Sequence, residues 1–182
     1  METFSVYTLD SAPEGSKASL REVQQRFDGI PNLAGAMALS PVLIKAFVPI
    51  FDQVHSGSFS EPEIQTVLLT DAVTNASAWA VALHTALGLK AGVSASDIEA
   101  IRAGRSPSDK KLAALSTLAR TLIEKRGKLN AEDVQRFIAA GFTKELLLEV
   151  VTIVAASTIT NYTGNVTNPP VEDWLQVHAW KG

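Results

Sequence analysis

Gln65-Thr-Val-Leu-Leu-Thr-Asp-Ala-Val-Thr-Asn-Ala-Ser-Ala-Trp-Ala-Val-Ala-Leu-His84-Thr-Ala-Leu-Gly-Leu-Lys-Ala-Gly-Val-Ser94 decides how the rest of this chain is read. It is rich in apolar and small residues and carries one histidine. Its alanines, Ala76, Ala78, Ala80, Ala82 and Ala86, suit a helix that approaches another helix closely. The run Ala76–Leu89 holds Ser77 and His84 and is too short for a membrane span.

Outward from this segment the pattern stays helical. Leu112, Leu115, Leu118, Ala119, Leu122 and Ile123 recur at three and four residues, one face of a helix. Ser106-Pro107 ahead of them reads as an N-cap with proline at the first helical position, and Gly127 as the stop. Ser60-Glu-Pro-Glu63 is a capping-box pattern; Ser94–Asp97 and Asn130–Asp133 are looser versions. Thr143 opens a run through Leu146, Val150 and Val154. Its β-branched stretch, residues 150–159, has no second strand to pair with and is read as helix. Helices are expected near 17–27, 32–38, 41–55, 61–91 with a break allowed, 95–103, 107–126, 131–139 and 143–165. The tail from Asn168 is expected to be an extended arm, over its own core or over a neighbouring subunit.

One domain fits 182 residues, of which 46% are hydrophobic. Lys and Arg number 16 against 19 Asp and Glu, a net charge of −3. No basic stripe is present, which argues against nucleic acid or an anionic membrane as partner. No leader-like segment precedes the first helix, and the residues around Leu146–Ile159 are too few for a membrane span, so a soluble cytoplasmic protein is expected. Cysteine is absent altogether, which rules out disulfides, cysteine zinc sites and iron–sulfur clusters. The three histidines are scattered, so no metal or other cofactor is expected.

The opening segment resembles the core motif of the alkylhydroperoxidase D-like / carboxymuconolactone decarboxylase family. That motif is a glutamate, eleven residues, then Cys-x-(Tyr or His)-Cys-x-x-x-His and a small-residue helix. His84 matches the histidine, and residues 85–94 match the small-residue helix after it. Ile30-Pro-Asn-Leu33, Ser40-Pro-Val-Leu43, Gly141-Phe-Thr and Thr160-Asn-Tyr-Thr163 fall in the right order around it, so the resemblance covers roughly residues 28–172. It implies an all-α fold of the alkylhydroperoxidase D-like type, a homo-oligomer (dimer, trimer or hexamer) and a peroxidase site.

The departures fall on the working positions. Ser77 and Ala80 stand at the two cysteines, Gln65 at the glutamate and Trp79 at the aromatic or histidine between them. The family cycle, as the resemblance implies it, oxidises a thiolate with peroxide and closes a disulfide, with glutamate and histidine carrying protons. Serine has no such oxidation ladder, alanine has no nucleophilic atom, and an amide does not exchange protons as a carboxylate does. The candidate catalytic positions are therefore His84, Ser77 and Gln65, with Ala80 inert, and Trp79 as a pocket wall with Gln65 and His84 or as packing between subunits. Asn75 reads as the cap of a helix restarting at Ala76. On one helix Ser77 and His84 lie about 10 Å apart, too far for a nucleophile–base pair. His84 also reads as a packed core histidine. Three functions are open: a family-like protein without thiol chemistry that keeps a small-molecule pocket or a structural role; a decarboxylase- or hydrolase-like enzyme using His84; or a cysteine-free variant of an active peroxidase.

Overall fold

The computed structural model describes residues 4–182. Its helices are α1 (Lys17–Phe27), α2 (Asn32–Met37), α3 (Pro41–His55), α4 (Glu61–Thr74), α5 (Ala78–Ala91), α6 (Ala95–Arg102), α7 (Lys110–Glu124), α8 (Ala131–Ala139) and α9 (Lys144–Thr167). Among the described residues there is no strand, so the β-branched stretch of 150–159 is helical. Packing overrides its propensity there, because α9 lies against α3 and α4.

Capping sets several boundaries. The backbone N–H and hydroxyl of Ser60 both donate to Glu63 Oε2, closing the box that starts α4. Asn130 and Asp133 form a box for α8, and Ser94 and Thr143 accept from Asp97 and Leu146 N–H groups. The expected start of α7 is displaced. Asp109, whose Oδ1 accepts from Lys111 and Leu112 N–H, is the N-cap in place of Ser106. Ser108 is held back instead by Asp97, which takes both its N–H and its hydroxyl.

Helix α4 is the axis of the molecule. From Ile64 to Ala72 it is buried on every side, packed by α5, α7 and α9. Three threonines are accommodated on it because Thr66, Thr70 and Thr74 donate to carbonyls four residues back, on Pro62, Thr66 and Thr70. Two apolar cores flank α4. One gathers α1, α2, α3, α5 and the tail; the other gathers α7, α8 and α9 with Phe59, Ile64, Val67 and Leu68.

The break in 61–91 falls at Asn75–Ser77. Asn75 ends α4, Ala76 turns the chain at φ 51°, and Ser77 is the N-cap of α5. Asn75 is thus the stop of one helix rather than the start of the next. The tail covers its own chain: a 3₁₀ turn, Asp173–His178, packs on α5 and buries Leu175 completely. Arg102 fixes it by donating to the carbonyls of His178 and Ala179.

Helix α9 is longer than the apolar stretch around residues 146–159 on which the expectation of no membrane span rested. It runs 24 residues with mean hydropathy 1.4 over its most apolar window, long and apolar enough to cross one by length and composition. Here it packs against α2, α3, α4, α5 and α7.

Candidate functional site

Three helices converge on one cavity. On α3, Phe47, Phe51 and His55 recur every fourth residue and form one stripe; Phe27 at the end of α1 meets it with ring centroids 5.4 Å from Phe51. Helix α5 presents Trp79, Leu83 and His84 on the facing side. Two chambers share this wall. The inner one, about 60 Å³, is lined by Leu33, Met37, Phe47, Leu68 and Ala156, with Ser157 and Thr160 from α9. The outer one, about 510 Å³, is lined by Arg26, Glu61, Gln65, Lys90, Glu172 and Trp174. Phe27, Phe51, His55, Trp79, Leu83 and His84 line both. The inner volume suffices for a few waters, and a ring held here must occupy the outer chamber as well.

The polar edge of this cavity is a chain of four side chains. His84 Nδ1 lies 2.9 Å from Gln65 Oε1. Gln65 Nε2 donates to Glu61 Oε1 at 2.7 Å. Glu61 Oε2 lies 3.2 Å from His55 Nδ1. Glu61 and Gln65 sit one helical turn apart on α4, which is why both reach the same place. His84 is buried, and burial lowers its pKa to about 3, with His55 adding a smaller push in the same direction. It is therefore a neutral imidazole at physiological pH.

Trp79 is pinned at the boundary. Its indole N–H donates to Glu172 Oε2 at 2.9 Å, while Glu172 Oε1 takes the backbone N–H of Asn32 at 2.7 Å. One tail carboxylate thus holds both the cavity wall and the first turn of α2.

Gln65, Trp79 and His84 are brought together as the sequence suggested; Ser77 is not. Ser77 is buried at the α4–α5 turn and faces a separate surface pocket with Gly164, Asn165 and Asn168. Its hydroxyl has no partner among the described residues, and a Cβ built on Gly164 would lie 3.1 Å from it. Ala80 is buried one turn further on. His55, one of the three scattered histidines, comes to the cavity, and Glu61 was not singled out. The fourfold spacing Phe47–Phe51–His55 and the Glu61–Gln65 pair were the signals that could have found them. Among the described residues no group of three His, Asp or Glu side chains is placed to hold a metal ion.

Behind the cavity Asp71 is wholly buried, and neither carboxyl oxygen has a hydrogen-bonding partner among the described residues. Burial pushes its pKa well above the usual carboxylate range, offset in part by the neighbouring Ser157 hydroxyl. Asn161 Nδ2 donates to that same hydroxyl at 3.1 Å, leaving its own Oδ1 unpaired.

This arrangement of helices around a central buried one is the alkylhydroperoxidase D-like fold. The chain is similar in structure to the alkylhydroperoxidase AhpD core of an uncharacterized peroxidase-related protein from Ralstonia eutropha JMP134, with a TM-score of 0.82 and 18% identity over 94% of this chain and 93% of that one. It is also similar to the debrominase Bmp8, crystallised as a cysteine-to-alanine variant with 2,3,4-tribromopyrrole, with a TM-score of 0.77 and 14% identity over 98% and 96%. A peroxidase-related protein from Silicibacter sp. TM1040 gives a TM-score of 0.75 and 14% identity over 95% and 93%. No family profile matches the sequence, and no curated protein does.

Proposed function

We propose that this chain keeps the alkylhydroperoxidase D-like scaffold without thiol peroxidase chemistry and holds a small, largely apolar molecule in the cavity beside His84. The observation that carries this reading is the cavity itself: aromatic walls from α1, α3 and α5 around a single buried imidazole. The positions that would hold the thiols in the resembled motif are Ser77 and Ala80, and Ser77 lies outside the cavity. A protein of similar fold crystallised with a brominated pyrrole supports the idea that this architecture accommodates a small ring. The protein so read is cytoplasmic, and its copies associate through the exposed face of α9.

Two outcomes are expected. Hydrogen peroxide with dithiothreitol gives no turnover above buffer. Pyrrole and phenol, titrated by calorimetry, bind the protein, and Ala156→Leu, which fills the inner chamber, weakens them about tenfold or more. Peroxide turnover would sink the loss of peroxidase chemistry, and binding untouched by the filled chamber would sink the pocket reading.

A second reading, an acid–base enzyme centred on His84, is favoured by the link from His84 through Gln65 to Glu61 and His55. A neutral imidazole oriented through Gln65 by a carboxylate is placed to accept a proton, although burial that lowers its pKa to about 3 makes it a weak base. Turnover abolished in His84→Gln with retained ligand binding is its signature.

A further inference from the structure

We propose that Glu61, acting through Gln65, fixes His84 as a hydrogen-bond acceptor towards the cavity, so that the molecule held there is a neutral ring bearing an O–H or N–H donor. This rests on the pocket reading above and names the ligand class that reading leaves open.

Donors and acceptors alternate along the short chain of side chains. A carboxylate only accepts, so the group that Gln65 turns towards Glu61 Oε1, 2.7 Å away, is its NH₂. An amide with its nitrogen committed at one end offers only its carbonyl oxygen at the other. That oxygen lies 2.9 Å from His84 Nδ1, so Nδ1 carries the proton and donates. A neutral imidazole with its proton on Nδ1 has a bare lone pair on Nε2. The structure gives Nδ1 alone of the two ring nitrogens a protein partner among the described residues, and His84 lines both chambers. His55 occupies the other oxygen of Glu61, donating from its own Nδ1 and holding the carboxylate in place.

The remaining walls narrow the class. Phe27, Phe51 and Trp79 line both chambers and offer faces to a planar ring; no Lys or Arg among the described residues lines the inner chamber, and those of the outer one are Arg26, which pairs with Asp52, and Lys90. A carboxylate or phosphate at His84 would face the lone pair of a neutral imidazole, which gives it no donor. A ring with no donor would leave Nε2 desolvated and unpaired. A neutral phenol-like O–H or pyrrole-like N–H meets both conditions. Glu61 borders the outer chamber but acts on His84 through Gln65, and is a positioning residue for that imidazole.

The probes are phenol and anisole, alike in ring and differing in the donor. Calorimetric titration of the wild-type protein is expected to give phenol about tenfold tighter binding than anisole. Nitrogen-15 NMR of histidine-labelled protein, without ligand, is expected to show His84 protonated on Nδ1. Glu61→Lys replaces the acceptor with a donor, turns the Gln65 amide round and moves the proton to Nε2. The phenol preference should then disappear. Glu61→Ala, which only removes the acceptor, is expected to leave a mixture of tautomers and an intermediate preference. Equal binding of the two probes in the wild type overturns the donor rule and leaves the pocket reading standing. An Nε2 proton in the free wild type overturns the assigned role of Glu61 whatever binds. Failure of both probes to bind sinks the pocket reading and the donor rule with it, while the tautomer result is read separately.

Discussion

An amide stands between ionisable groups at the point where the resembled motif has a carboxylate. Restoring that carboxylate would set residues 61 and 65 as like charges within hydrogen-bonding distance, and one would have to hold a proton. Gln65 therefore suits the presence of Glu61 and keeps His84 in one tautomer. The buried titratable groups, His84 and Asp71, make the stability pH-dependent with opposite signs. His84 has its folded pKa lowered to about 3 from 6.5, so the unfolded chain binds more protons across that window. Stability is then complete above about 6.5 and declines as pH falls, by up to about 1.4 kcal/mol per pH unit while the difference persists. Asp71 has its folded pKa raised, so the folded chain holds the extra proton. Its contribution is lost as pH rises from 3.8 through that raised value. Urea unfolding between about pH 4 and 8 is expected to show a shallow profile for the wild type, a steeper rise with pH for Asp71→Asn, and higher stability of that variant at neutral pH. A profile for Asp71→Asn that matches the wild type would show that the two groups do not oppose each other.

At the scale of elements, the tail and α5 are one structural unit. Glu172 satisfies two N–H groups at once, the Trp79 indole and the first turn of α2. Glu172→Ala leaves both donors short of a partner and is expected to cost about 2–4 kcal/mol in urea unfolding. It should also shift tryptophan emission to the red as Trp79 gains water. An unshifted spectrum with unchanged stability would show that the tail is only laid over the site. The helices were legible in the sequence, since α1, α3 and α8 fall on their expected residues and the others within about three. Apolar spacing and caps are local signals. The start of α7 was not legible, because Ser108 is drawn to Asp97 on α6, a partner invisible to local reading. Gln65, Trp79 and His84 were found through the motif resemblance. His55 and Glu61 carried only local spacing signals and Glu172 none, because the contacts that join them form when α3, α4 and the tail fold together.

Over the whole molecule, the exposed face of α9 is the feature that predicts behaviour in solution. From Val150 to Thr167 the helix carries no charged residue. Leu148, Val151, Tyr162 and Val166 lie exposed along it, and Leu39 borders the same pocket as Tyr162 and Val166. An apolar strip of this kind is characteristic of an association surface. Analytical ultracentrifugation at micromolar concentration is expected to show an oligomer. Leu148→Lys with Val151→Lys should shift it towards monomer while leaving the helical circular dichroism unchanged. A wild-type monomer under those conditions would refute association through α9.

The central position of α4 also has a consequence for biosynthesis. Its packing partners α7 and α9 are encoded far downstream, and the tail that pins Trp79 comes after them. When α1 to α6 have left the ribosome, the face of α4 bearing Val67 and Leu68 is covered only by Ile50, Val54 and Phe59, because the rest of the core that receives them is built from later helices. The nascent chain therefore displays apolar surface until α9 has emerged, and it is in that interval that chaperones and aggregation compete for it. The finished cavity is a late product of synthesis, assembled when the C-terminal segment reaches back to a site laid down long before it.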